Sequence, residues 1–168
     1  MNIVSDQIIQ ETVKEVSDYQ KEKIDSDFLG FCKRQPDLAS FFTTFVRNQR
    51  RKTIERCLFV FFVIGIVFEK SAAAALHRIT YDDIERVLQK NKTLIAGIKE
   101  AHNRFYERIA EVRLSCQPDL MKYVIESLET EIDPETPFSN QEAGVLFFLF
   151  MVVIDVFSDA LPSGNTTA

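Results

Sequence analysis

The chain has 168 residues, 46% hydrophobic and 27% charged, which is enough for one domain with a real core and excludes wholesale disorder. Five Gly and five Pro are too few for the many turns of a sandwich or barrel, so the elements are few, long and helical. A net charge of −5 argues against a general nucleic-acid binder. Cys32, Cys57 and Cys116 are odd in number and lack a C-x-x-C spacing, which suits a reducing cytoplasm better than a disulfide framework or a zinc site.

The N-terminal stretch MNIVSDQIIQETVKEV is acidic and amphipathic, with neither the basic nor the apolar region of a secretory leader. From Ile3 to Phe31, Ile9, Val13, Val16, Ile24, Phe28 and Phe31 recur at helical spacing, which predicts one long amphipathic helix. The tetrapeptide Gln35-Pro36-Asp37-Leu38 then predicts a corner. Proline stops the incoming helix, suits the first position of the next, and is followed by an acid that favours the helix N-terminus. Leu38, Phe41, Phe42 and Phe45 carry the second helix. The third holds the apolar run 57–68 and is expected to continue through four alanines to about His77.

Thr80 and Asp83 form an acidic capping box, with Ile79 and Ile84 at the staple positions. A helical seam follows through Ile84, Val87, Leu88, Leu94, Ile95, Ile98, His102, Phe105, Ile109 and Val112, with a possible kink at 91–93. The same tetrapeptide returns at Gln117-Pro118-Asp119-Leu120, followed by Tyr123, Val124 and Leu128 on one face. After an acidic loop, Ser139 and Glu142 form a second capping box and open a helix through the apolar run 143–154 to about Ala160.

Each apolar run is 12 residues and ends at an acid or base, shorter than the about 17–25 residues of a spanning helix. Both therefore read as core helices, with no transmembrane segment. The corners lie 82 residues apart and the pairs Phe61-Phe62 and Phe147-Phe148 lie 86 apart. The expectation is an all-α, six-helix bundle in one domain, 1–161. Two pseudo-symmetric three-helix halves, 3–77 and 80–160, surround two central apolar helices, and 162–168 form a flexible tail.

Candidate chemistry is sparse. A Phe-lined pocket of Phe61, Phe62, His102, Phe105, Phe147 and Phe148 would take an apolar small molecule or lipid, although Phe in helical register is more often plain core. Arg47, Arg50, Arg51, Lys52 and Arg56 form one basic cluster, suited to an anion, an acidic partner or an anionic membrane surface, or simply to a helix end. The second half carries acidic ESLETEIDPE in its place. Glu69 and Asp155, 86 apart, with Glu55 and His102, are the remaining candidates for carboxylate or metal chemistry, and no Glu-x-x-His accompanies them. His77 reads as a structural residue near a helix end. No cofactor or metal is expected, and no nucleotide or hydrolase motif occurs. The reading is a cytoplasmic, non-catalytic assembly or interaction module, plausibly homodimeric, with an apolar-ligand binder and a carboxylate metalloenzyme as rivals.

Overall fold

The computed structural model describes residues 3–72, 74–92, 117–130, 135 and 139–162. The expectations for His102, Phe105, Cys116, the seam beyond Lys92 and the tail beyond Pro162 lie outside them. Among the described residues there are seven helices and no strand: α1 (Asp6–Ser17), α2 (Lys21–Arg34), α3 (Pro36–Val46), α4 (Arg51–Ser71), α5 (Tyr81–Lys90), α6 (Pro118–Glu129) and α7 (Asn140–Ala160).

The first amphipathic stretch is two helices rather than one, which takes the count past six. Between Val16 and Ile24 the only large apolar side chain is Tyr19, so no continuous stripe ties the stretch to one surface. The chain breaks at Gln20, which is extended, and α1 and α2 then settle on different neighbours. In α1 the buried face is Ile9, Thr12 and Val16 rather than Val13. The Thr12 hydroxyl is satisfied by donating to the Ile8 carbonyl at 2.7 Å.

α4 and α7, each 21 residues, pack on one another at the centre. α1, α2, α3 and α6 cover α4, while α3, α5 and α6 cover α7. Enclosure is what an all-round apolar helix requires. Within α7, the window Glu142–Ala160 is long and apolar enough to cross a membrane, with a mean hydropathy of 2.1, and 72% of it is buried inside the fold. Aromatic rings join the layers. Phe42 of α3 stacks on Phe61 of α4 at 4.2 Å and meets Phe150 of α7 at 5.4 Å. Phe31 of α2 reaches Phe61, Phe62 and Phe157.

α4 ends at Ser71, and Ala72 is extended, so the alanine run does not prolong the helix to His77. Alanine's advantage in a helix is about 0.7 kcal/mol per residue or less over ordinary residues, and here a tertiary contact overrides it. The Gln35 side-chain amide donates to the His77 carbonyl at 3.0 Å and accepts from the Ile79 N–H at 2.8 Å, fixing 77–79 beside the first corner. Gln117, at the second corner, accepts from the Val4 N–H at 3.0 Å. Both glutamines are buried and neither caps its own helix.

Gly65 shows how closely the centre is filled. A Cβ there would stand 2.4 Å from the buried ring of Phe31, whereas one at Gly144 would meet nothing within 4 Å. Gly65→Ala is therefore expected to lose about 1–3 kcal/mol to overpacking, and Gly144→Ala to gain up to about 1 kcal/mol from helix propensity. Urea denaturation of both variants checks the contrast.

Candidate functional site

The irregular stretch 77–79, pinned by Gln35, runs into the N-terminus of α5 and lies against the last turn of α7. The three surfaces enclose a cavity of about 190 Å³ lined by His77, Arg78, Ile79, Asp83, Arg86, Val87, Val156, Asp159 and Ala160. Its floor is apolar, since Ile79, Val87 and Val156 are buried. Charged side chains of both signs stand around this floor.

Their commitments differ. Asp83 accepts from the Thr80 N–H and hydroxyl, each at 2.9 Å, and from Arg86 at 2.7 Å. The Thr80 hydroxyl accepts in turn from the Asp83 N–H at 3.3 Å, so the capping box read from the sequence is present. These bonds, that from the Thr80 backbone foremost, hold the Asp83 carboxyl below its usual range. Among the described residues, the polar contact of Arg78 is with Asp37 of the first corner, at the long distance of 3.5 Å. Asp159 is exposed and has no partner among the described residues. His77 stands six residues beyond the end of α4, so its expected role at a helix terminus does not apply.

The other candidates are dispersed. Phe61, Phe62, Phe147 and Phe148 are all buried in the core, and none lines this cavity. Glu69 is held by the Arg34 guanidinium through two bonds, at 2.8 and 3.1 Å, while its neighbour Lys70 bridges to Glu15 on α1. Asp155 accepts from the Asn91 amide at 3.1 Å. The same amide also donates to the Val87 carbonyl. Asn91 Oδ1 and Ser158 Oγ are buried without a hydrogen-bond partner among the described residues. Glu55 pairs with Arg51. No group of three potential metal ligands occurs among the described residues.

The basic cluster is divided among separate tasks. Arg56 turns inward to donate to the Ser127 carbonyl in the last turn of α6, where a cation is favoured. Arg51 engages Glu55, and neither Arg50 nor Lys52 is free. Burial pushes the Cys57 thiol up to about 12 and also raises Cys32, which keeps both in the unreactive form.

The glutamines escaped the sequence reading, which gave roles to the Pro, Asp and Leu of the repeated tetrapeptide and none to its first residue. The available signal was the repetition itself, because a corner needs no particular residue before its proline.

The depressed Asp83 carboxyl makes its contribution to stability fully present above its unfolded value. That contribution is lost as pH falls through the lower folded value. Asp83→Asn should therefore flatten the loss of stability between about pH 5 and about pH 2, as followed by denaturant unfolding. Asp83→Ala should cost about 0.3–1.5 kcal/mol at neutral pH. The chain matches no protein-family model, no curated protein and no solved structure, so its chemistry is read from its own residues.

Proposed function

We propose that this protein is a non-catalytic helical interaction module, built from two related units and pairing with a second copy of itself. The observation that carries the first part is the employment of its polar side chains. Glu69, Asp155 and Glu55, the carboxylates that offered candidates for chemistry, are each engaged by another side chain, and Asp83 caps α5. Buried glutamines do the same for main chain.

Matching burial supports two related units. On α3 the buried residues are Leu38, Ala39, Phe42 and Val46, and on α6 they are Leu120, Met121, Val124 and Leu128, each 82 positions later. Ile9, Thr12 and Val16 of α1 correspond to Ile84, Val87 and Asn91 around α5, each 75 later and also buried. The N–H that each glutamine receives belongs in both cases to the residue before an N-cap: Val4 before Ser5, and Ile79 before Thr80. Helix neighbours correspond as well: α1 lies on α4 and α6, and α5 on α7 and α3. Gln35→Leu and Gln117→Leu, which leave buried groups unpaired, should each lose about 1–3 kcal/mol. Thermal and urea unfolding that left either variant unchanged would count against the equivalence.

Pairing of copies is supported by the outer face of α3. Phe45 is 39% exposed and its ring lies 6.1 Å from that of Phe41. The position corresponding to Phe45 on α6 is Ser127, whose hydroxyl bonds back to Tyr123, so the fold itself does not call for an aromatic there. An exposed ring such as Phe45, beside the half-buried Phe41, gains most when a partner covers it. A dimer at micromolar concentration, measured by sedimentation, is expected to become monomeric in Phe45→Glu with helicity unchanged. A wild-type chain that stays monomeric defeats the pairing. The rival apolar-ligand reading has less support, because Phe61 and Phe62 are already occupied by ring contacts with Phe28, Phe31 and Phe42.

A further inference from the structure

We infer that the cavity between the start of α5 and the end of α7 binds a small zwitterion, an α-amino acid with a short apolar side chain. The field across it is bipolar. One wall is the start of α5, where Asp83 closes the capping box and pairs with Arg86, and Arg78 beside it carries the positive charge of this wall. The opposite wall is the C-terminus of α7, where terminal carbonyls give a partial negative charge. Asp159 stands in that last turn, and no basic residue offsets it there.

Asp159 is thus placed against its own helix dipole, an unfavourable position that an ammonium group would relieve. Arg78 is complementary. Its ion pair with Asp37 is long and its side chain is 63% exposed, so that pair is weak and yields readily to a better-placed carboxylate. Arg86 is already paired with Asp83 at 2.7 Å, so Arg78 supplies the adaptable fork.

Size and polarity narrow the class further. At about 190 Å³ the cavity falls below the about 300–1,000 Å³ of pockets for drug-sized ligands, so only a small molecule fits. The floor of Ile79, Val87, Val156 and Ala160 offers no hydrogen-bonding side chain and favours an aliphatic group. A carboxylate toward Arg78, an ammonium toward Asp159 and α7, and an aliphatic side chain on the floor match the opposite charges and the apolar floor of the cavity. Gln35 supports the geometry indirectly as a positioning residue, since it holds the backbone of 77–79 from which Arg78 projects.

The test is calorimetric titration of the full chain with L-valine and L-leucine, alongside the matched compounds that lack one charge, isovalerate and isoamylamine. At least one amino acid should bind, and each single-charge analogue should bind more weakly by about ten-fold or more, as expected when a charged partner is left unmatched. Asp159→Asn should erase the preference for L-valine over isovalerate, and Arg78→Gln should erase the preference for L-leucine over isoamylamine. Both side chains are exposed, so circular dichroism should show the fold unchanged. Absence of heat with both amino acids at millimolar concentration overturns the proposal. Equal binding of isovalerate overturns it in favour of a simple anion site.

Discussion

A buried amide must find a donor and an acceptor, and in this fold the main chain supplies them. Gln35 takes both from the stretch 77–79, and Gln117 receives the N–H of Val4. Leaving such a group unpaired costs about 1–3 kcal/mol, so the chain segments that satisfy it are strongly held in place. Much else follows from that constraint. The path after α4 is extended rather than helical, α5 starts at Thr80, α1 starts beyond Ser5, and the cavity beside α7 exists because 77–79 cannot swing away.

The centre obeys a different rule. α4 and α7 carry too much apolar surface for one-sided burial, and the remaining helices act as their cover. Ring contacts running from Phe31 through Phe61 and Phe42 to Phe150 make the centre a single body rather than two adjacent bundles. The tight seat of Phe31 over Gly65 explains a glycine in the middle of an otherwise bulky helix. Charge is used at the periphery, where Glu69 and Lys70 at the end of α4 bind Arg34 of α2 and Glu15 of α1.

Helical class, both corners, both capping boxes and the two central helices were legible because each rests on local chemistry: a fixed proline φ, a cap three residues from its partner, or a period of apolar residues. The break at Gln20 was not legible, since no Pro or Gly marks it and only the diverging neighbours of α1 and α2 require it. The end of α4 was misread for a similar reason, as four alanines favour helix locally and the opposing force comes from Gln35, 42 residues away from His77. Of the cavity, the sequence pattern marks His77, near a helix end; Arg78 and Asp159 line one cavity through two segments that only the folded chain brings together.

The bond from Val4 to Gln117 joins residues 113 positions apart. During synthesis, the N-terminal end of α1 therefore emerges 113 residues ahead of the side chain that secures it. The contact from Gln35 to Ile79 closes much earlier, over a span of 44 residues. In chain order, therefore, the contact that fixes the start of α5 becomes available before the one that fastens the start of α1. Closing the longer loop adds only about 1 kcal/mol of entropy over the shorter one, so the delay arises from the order of manufacture far more than from the length of the loop.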